Sequence, residues 1–304
     1  MPKKAIVFDL NNLLYRKFYT SIPRYNNDGL RNDVTLTIYS EMAALKNKIG
    51  QEDEIIIVSD HNGPTFRHHL VDSYKSDKKG MPEELKCQED SLIELLLTSG
   101  FKLISKPGYE ADDAIGMVCN HFINHGFSNI EIHSNDKDLL QLINDNVSVF
   151  NPSSRKLFRR AEVIQKYGIP PEMIPDMLAI AGDSADSIKG LEGVGEKTAC
   201  NWINEFGNAK SVFSNKENAK GRGSKSLRES DLNIDLNLKL STIVSDPSLL
   251  SSSEVQMLLN WEASPNASNV LKQIKVGSSL SHPSIIGAPE ENNITTAPSQ
   301  MSFF

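Results

Sequence analysis

Three carboxylates crowd into four consecutive positions of the sequence, at Glu110, Asp112 and Asp113, within the stretch GYEADDAIG. Like charges this close together repel, and each raises the pKa of the others unless an opposite charge neutralises them. The stretch lies between an apolar run at 101–104 and a segment with helical spacing. Residues of this type at this spacing predict a site that binds cations.

The elements around this stretch alternate between short apolar runs and segments with helical spacing. Runs typical of buried strands occur at 3–10, 54–60, 101–105, 129–136 and 146–150, and most segments between them favour helices. This alternation predicts an α/β fold with a mostly parallel central sheet and helices on both faces.

Acidic residues follow each of the first four predicted strands. The ligand crevice of an open parallel sheet lies at the carboxyl ends of its strands, so these residues should converge there, joined by two acids from the next helical segment. An Asp after a strand is also an ordinary turn residue. Four successive strands that end in acids nevertheless favour one shared site. Its candidate members are Asp9, Asp60, Glu110, Asp112, Asp113, Asp136, Asp138, Asp183 and Asp186.

Oxygen ligands without nearby His or Cys favour Mg²⁺, with Mn²⁺ as a substitute, over zinc. Nine carboxylates exceed what one ion needs. Two ions about 3.5–4 Å apart, clamping the attacking and leaving oxygens of a phosphodiester, would use them all. Without these nine acids the net charge changes from −7 to +2, so the rest of the chain is mildly basic.

Composition narrows the class of protein. The chain has 304 residues, 39% hydrophobic and 23% charged, which is typical of a soluble globular protein of one domain or slightly more. No apolar run approaches the roughly 20 residues of a membrane span, and the first one ends at Asp9, too early for a signal peptide. Three cysteines without a C-x-x-C pair favour a reducing cytoplasm. We therefore expect no membrane partner.

A glycine-rich segment, DSIKGLEGVGEKTACNWINEFG at 186–207, precedes a predicted helix. Gly190, Gly193 and Gly195 would let the backbone and the helix N-terminus approach a phosphate. The tetrapeptide GEKT is similar to part of a P-loop, but Glu196 precedes Lys197 and no strand leads in, which excludes that motif. A helix–hairpin–helix that grips a nucleic-acid backbone without reading sequence fits better.

Two further features are weaker. His121 and His125 are four residues apart on a predicted helix but lack a third ligand nearby, which favours ordinary helix positions over a metal clip. Residues 277–300 are rich in Ser, Pro, Asn and Thr and predict a flexible tether, after which the chain ends in QMSFF.

Taken as a set, these motifs resemble the 5′-nuclease (flap endonuclease) family. The matching stretches, in family order over about 4–245, are TFRHHLVDSYKSDKKGMPEELKCQ, GYEADDAIG, SNDKDLLQLI, KYGIPPEMIPDMLAIAGDSAD and GLEGVGEKTA. The resemblance is nearest to the 5′–3′ exonuclease domain of bacterial DNA polymerase I. No polymerase module follows, so we expect a stand-alone, bacteriophage-type (ribonuclease H-like) version in the cytoplasm of a bacterium or phage-infected host.

The resemblance implies a PIN-like core and a domain plan. The plan has an α/β catalytic core at 1–150 with a short helical arch at about 75–90, and a helical DNA-binding region at 151–245 with the helix–hairpin–helix at 186–207. A small helical extension at 246–276 and a flexible tail at 277–304 follow.

It also implies roles for matching residues. The nine acids match the family's metal ligands, and Lys75 and Lys78 match catalytic basic residues that stabilise charge on the scissile phosphate. Tyr15 matches an aromatic position on which a base stacks. Two departures, Asn11 shortly after the first Asp and Ser187 in GDSADS, remove no ligand. The residues implied to contact DNA are Tyr15, Arg67, Lys79, Gly190, Gly193, Gly195 and Lys197, and those of a sliding-clamp-binding tail are Gln300, Met301, Phe303 and Phe304.

The resulting hypothesis is a monomeric, metal-dependent 5′–3′ exonuclease and flap endonuclease of DNA replication. It would remove 5′ flaps and RNA primers (ribonuclease H activity) from flap, nicked or primer-bearing DNA and RNA–DNA hybrids. One alternative is a non-catalytic DNA-junction-binding protein. Another is a phosphatase on a similar sheet, although its nucleophile pattern requires an Asp where Asn11 stands.

Overall fold

The computed structural model describes residues 3–76 and 80–276. Within these ranges, the strands are β1 (Lys3–Asp9), β2 (Glu54–Ser59), β3 (Lys102–Ser105), β4 (Phe127–His133), β5 (Val147–Asn151) and β6 (Lys156–Phe158). The first helices are α1 (Leu10–Thr20), α2 (Asp33–Lys46), α3 (Phe66–Leu70), α4 (Glu83–Thr98), α5 (Ala111–Asn124), α6 (Arg160–Tyr167) and α7 (Ile174–Ala181). The later helices are α8 (Glu196–Phe206), α9 (Ala209–Ser214), α10 (Ser224–Glu229), α11 (Ile234–Ser241), α12 (Ser252–Asn260) and α13 (Ala267–Val276).

The strands of the described ranges form one sheet in the order β3-β2-β1-β4-β5-β6. Every neighbouring pair is parallel except β5 and β6, so the predicted mostly parallel α/β sheet is confirmed. The sequence analysis did not predict β6, which has three residues and pairs at the edge of the sheet. Strand β1 lies between β2 and β4, which brings the ends of these three strands together at one edge.

Helices cover both faces of the sheet, because the central strand is apolar on both sides. Ala5 and Val7 pack into one core with α5, whereas Ile6 and Phe8 pack into a second core with α1, α2 and α4. A continuous apolar run is typical of a parallel strand buried on both faces. The first core continues into the helices that follow residue 160.

Helix α4 begins inside the segment that was predicted to form an arch, about 75–90. The helix begins at Glu83, Leu85 and Gln88 are buried in it, and Oε1 of Gln88 accepts a hydrogen bond from N of Val34 at 2.8 Å. Residues 83–90 are therefore the first turns of a packed core helix and not part of an arch. Lys78 and Lys79 lie outside the described residues, as do Gln300, Met301, Phe303 and Phe304.

The two helices at the end of the described chain return to its N-terminal half. Indole Nε1 of Trp261 donates to the carbonyl of Leu97 at 2.9 Å, and Nδ2 of Asn32 donates to the buried carbonyl of Ile274 at 3.0 Å. These bonds fasten α12 and α13 against α4 and the start of α2. None of the described helices combines the length and the apolarity needed to cross a bilayer.

The loop between α7 and α8 crosses itself at two glycines. A Cβ on Gly190 would lie 2.1 Å from the carbonyl carbon and oxygen of Ala181. A Cβ on Gly182, which has a φ of 79°, would lie 2.4 Å from the backbone N of Gly190. Nδ2 of Asn237 in α11 donates to the carbonyl of Ala179 in α7 and to that of Lys189 in the loop, and so connects both segments to α11. Gly190 is thus required by backbone packing, which differs from its predicted role in approaching phosphate.

We predict that Gly190→Ala lowers the free energy of urea-induced unfolding by more than about 2 kcal/mol, because backbone atoms cannot move aside as a side chain can. Gly195→Ala is the control, since its Cβ would have no atom within 4 Å and its φ is −104°. Equal unfolding free energies for the two variants would contradict the packing role of Gly190.

Candidate active site

The first acids of the site are held at the N-termini of helices α1 and α5. Oδ1 of Asp9 accepts a hydrogen bond from N of Asn12 at 3.0 Å at the beginning of α1. Oδ1 of Asp60 accepts from N of Ala111 at 2.8 Å, and Glu110 is the N-cap of α5. Carboxylates satisfy the free N–H groups and the positive end of a helix. Local helix capping therefore holds these acids at the strand ends.

The segment after β4 adds two acids from a tight turn. Oγ of Ser134 donates to Oδ2 of Asp9 at 2.8 Å, which joins this turn to the end of β1. Oδ1 of Asp136 accepts from N of Asp138 at 2.9 Å, at the start of a 3₁₀ turn spanning Asp138–Leu142. The turn thus brings the charge of Asp136 close to Asp9, and that of Asp138 close to Asp136 and Asp183.

These carboxylates repel one another and are poorly solvated. Burial first, and then the nearby charges of Asp136 and Asp60, raise the pKa of Asp9 to about 6. The pKa of Asp138 is raised to about 8 by burial and then by Asp136 and Asp183. Burial, followed by the charges of Asp136 and Asp9, also raises the pKa of Asp112 well above its ordinary range. The site favours bound cations, protons included.

A second group of acids is neutralised by Lys75. Its Nζ donates to Oε1 of Glu110 at 2.5 Å and lies 3.3 Å from Oδ1 of Asp186. The hydroxyl of Tyr74 contacts the same two carboxylates at 2.9 and 3.1 Å. Lys75 has a φ of 52°, a left-handed conformation that is uncommon for residues other than glycine. Its ammonium group therefore enters the site from a strained backbone.

Lys137 provides a second cation. Its Nζ lies 3.2 Å from Oδ2 of Asp183 and 3.0 Å from Oε1 of Glu196, the first residue of α8. Asp183 is buried and held by a backbone bridge with Ile188, and its Oδ1 accepts from N of Ala185 at 2.8 Å. Lys137 therefore links the sheet edge to the helical region.

Arg67 and Asp113 form a separate buried pair beneath the acids. The guanidinium of Arg67 bonds to both oxygens of Asp113 at 2.6 and 2.9 Å and also reaches Oε2 of Glu110 at 3.2 Å. The same oxygens of Asp113 accept from the backbone N of Glu110 and Val244. Arg67 is 2% exposed, so the prediction that it contacts DNA is wrong, because no ligand can reach it. Asp113 is fully buried, and both of its carboxylate oxygens are occupied by these bonds.

The remaining predicted contacts lie at the surface. Gly193, Gly195 and Lys197 are exposed around the start of α8, and Tyr15 is half-buried in α1 with its ring 6.4 Å from that of Tyr19.

Sequence reasoning missed several members of the site. The amide Nδ2 of Asn11 donates to Oδ2 of Asp60 at 2.5 Å, whereas the residue had been noted only as a departure from the family pattern. Lys137 stands between two predicted ligands in SNDKDLL, and this position of a cation between two acids is a signal from which the sequence could have predicted its role. Nothing in the pattern around Tyr74 or Ser134 sets them apart from packing and turn residues.

The donor set of the site fits hard divalent cations. The charges of eight carboxylates, all but that of Asp113, act on one another in a connected set, and Oδ1 of Asp138 is shielded from solvent with no hydrogen-bond donor in the described structure. In residues 3–76 and 80–276, no three His, Cys, Asp or Glu side chains already surround a common point as ligands would. Lys75 and Lys137 bond to oxygens that an ion would need.

Two family models match the chain, and between them they span the sheet and the helical region. The N-terminal resolvase-like domain of the 5′-3′ exonucleases matches residues 4–168, and their C-terminal SAM fold matches residues 169–261. The chain therefore belongs to the 5′-3′ exonuclease family, a family of nucleases.

Individual relatives agree with this assignment. A 5′-3′ exonuclease of Aquifex aeolicus is 34% identical over 254 residues, which are 83% of this chain and 86% of that protein. DNA polymerase I of Mycobacterium bovis is 32% identical over 263 residues, 84% of this chain but 29% of the polymerase. A bacteriophage T5 flap endonuclease, solved with DNA and metal ions, has the same fold, with a TM-score of 0.62 and 21% identity over 89% of this chain and 99% of that one.

We predict that Arg67→Ala lowers the free energy of unfolding by about 3–5 kcal/mol, because it leaves Asp113 as a buried charge without its cationic partner. Urea denaturation measures the change. Lys210→Ala is the matched control, since its ion pair with Asp235 is 65% exposed on both sides and such pairs contribute little. A loss no greater than that of the control would show that the buried pair is not needed for stability.

We predict that Asp138→Asn stabilises the metal-free protein at alkaline pH. The pKa of Asp138 is about 8 in the folded chain against an ordinary 3.8, so its contribution to stability is present at low pH and is lost as the pH rises from about 4 to 8. The variant should exceed the wild type in the free energy of urea-induced unfolding at about pH 8 but not at about pH 5. Asp235→Asn should show no such trend.

Proposed function

We propose that this chain is a divalent-metal-dependent 5′–3′ exonuclease and flap endonuclease that hydrolyses phosphodiesters near single-strand/double-strand junctions. The observation that carries the proposal is the convergence of eight carboxylates at the carboxyl ends of β1, β2 and β4, together with membership of the 5′-3′ exonuclease family. Such a concentration of negative charge would repel a nucleic acid unless cations neutralised it.

The proposed ligands of two Mg²⁺ ions, for which Mn²⁺ can substitute, are the eight acids other than Asp113. Bound ions would supply Lewis-acid stabilisation of the negative charge that develops on the scissile phosphate. Asp112 lies at the centre of the set, since Asp9, Asp136 and Asp138 all act on its charge. A bacteriophage T5 relative of the same fold was solved with metal ions, which supports this proposal.

Lys75 is the residue of this chain that we propose as an electrostatic catalyst. Its Nζ bonds to Glu110 and lies beside Asp186, two of the proposed ligands. When cations take over these carboxylates, the ammonium group is free to bond to a phosphate oxygen of the substrate. Lys78 is proposed for the same role on its sequence alone, because it lies outside the described residues.

The helical region is proposed to hold the duplex as a helix–hairpin–helix. Gly193, Gly195 and Lys197 are exposed around the N-terminus of α8, where backbone N–H groups and one ammonium group can bind phosphate without reading sequence. Tyr15 is proposed to stack on the base next to the cut. Partial burial, followed by the charges of Tyr19, Glu89 and Asp60, raises the pKa of its phenol.

The wider biological role is proposed from sequence. We propose a monomer that acts in replication in the cytoplasm, removes RNA primers from RNA–DNA hybrids as well as DNA flaps, and is tethered to a sliding clamp through Gln300, Met301, Phe303 and Phe304. Tethering raises the local concentration of the enzyme at its substrate without changing its chemistry. Lys79 is proposed as a further DNA contact.

We predict that Asp112→Asn reduces cleavage of a 5′-labelled flap substrate at least about 100-fold in Mg²⁺, because it removes the carboxylate at the centre of the proposed ligand set. The same assay uses a matched RNA–DNA hybrid and an EDTA arm, in which the wild type should cut neither substrate. Binding of the flap by the variant, measured by anisotropy, should remain within about threefold of wild type.

Asp235→Asn is the control, because it removes the same charge from an exposed residue of α11 and should leave cleavage unchanged. Tight flap binding by the wild type with no cutting in Mg²⁺ or Mn²⁺ would overturn the enzyme proposal and favour a non-catalytic junction-binding protein. The ratio of the two cleavage rates would assign the main substrate.

A further inference from the structure

Helices α1, α2 and α4 pack over β1, β2 and β3 on one face of the sheet, and the core that they form includes no described residue of β4 or β5. A cavity of about 550 Å³ lies beside α1 and the end of α2. It opens over β4 and β5 and reaches the turn that joins β5 to β6. The residues that matter for its chemistry are Phe8, Arg16, Lys48, His133, Phe150 and Arg155.

The floor of this cavity is a row of rings on three adjacent strands. The ring of Phe8 in β1 lies 4.6 Å from that of His133 in β4, which lies 5.0 Å from the ring of Phe150 in β5. His133 and Phe150 are half-buried, so part of each ring faces the cavity. Adjacent rings are tilted by 53° and 44°, so a flat aromatic ligand would stack on one of the two partly exposed rings, whatever its substituents.

The rim of the cavity is cationic. Arg16, Lys48 and Arg155 line it, and in the part of the chain that the structure describes no carboxylate pairs with them. Nε of Arg16 is shielded from solvent without a hydrogen-bond acceptor among those residues. Glu41 also lines the cavity, where it pairs with Lys17, and nearby Oε1 of Glu131 lies 2.6 Å from Nε2 of His133. An anionic ligand would therefore complement the rim.

The cavity shares a wall with the acidic cluster. Asn12 lines the cavity, and its Oδ1 accepts hydrogen bonds from N and Nδ2 of Asn135 at 3.1 and 3.0 Å, next to Asp136. The backbone N of Asn12 donates to Asp9. Asn12 therefore lies between the cavity and the acids of β1 and of the turn after β4.

A floor of rings, an unpaired cationic rim and this size together describe a site for a nucleotide, with its base on the rings and its phosphate at the rim. We propose that the cavity binds one unpaired nucleotide of the single-stranded part of the substrate, separately from the metal cluster. This inference rests on the proposed nuclease function, because that function brings a single strand to the neighbouring acids.

The test is an abasic scan in EDTA, so that binding is measured without cleavage. Flap substrates with one abasic nucleotide at successive single-stranded positions are titrated against the full chain by anisotropy. Wild type should lose about tenfold in affinity at one or two positions, where the stacked base is missing. Arg155→Asn, which suits the φ of 54° at that turn, and Phe150→Leu should bind the intact strand more weakly and lose this position dependence.

Lys272→Asn is the control, because it removes the same charge from an exposed site on α13, and it should retain the wild-type scan. A wild-type scan without any sensitive position, or a sensitive position that both variants retain, would overturn the proposal. So would binding of free deoxyadenosine monophosphate that depends on Arg155 without any abasic effect. Cleavage in Mg²⁺ is recorded separately, so that failure of the nuclease proposal is distinguishable from failure of this one.

Discussion

Repulsion among carboxylates is the constraint on which the rest of this structure depends. The parallel order of β1, β2 and β4 forces their acids to one edge of the sheet, where burial raises the pKa of Asp9 to about 6 and that of Asp138 to about 8. The fold tolerates this concentration through helix N-termini and through three inserted cations, Arg67, Lys75 and Lys137. Each cation comes from a different element, so the acids hold the sheet, the segment before α4 and the helical region together.

The sequence alone predicted the sheet and the position of the acids at the ends of its strands. A continuous apolar run such as 3–8 is typical of a parallel strand buried on both faces. An acid that follows such a strand lies at the edge of the sheet where the carboxyl ends of the parallel strands meet. The resemblance to the 5′-nuclease family was confirmed by the family models, which match residues 4–168 and 169–261. The metal-ligand roles of the acids themselves stay a prediction.

The errors concern residues whose role depends on long-range packing. Arg67 looks like a surface cation in TFRHHL, and only the docking of residues 240–244 against it reveals that it is buried. Gly190 looks like a phosphate-binding glycine, although the approach of Ala181 explains it. The predicted arch ran too far because the spacing of Leu85 and Gln88 suits a core helix as well as an exposed one. Periodicity does not specify which partner covers a face.

The bonds that Arg67 makes outside the acidic cluster have a consequence for how the chain matures. Its Nε donates to the carbonyl of Leu240 at 2.8 Å and its Nη2 to that of Thr242 at 2.9 Å. On the ribosome, the sheet emerges long before these two acceptors exist. A nascent chain therefore cannot complete the site until its helical region has been made and docked. The last bonds of Arg67 therefore form only after residues 240–242 have been synthesised.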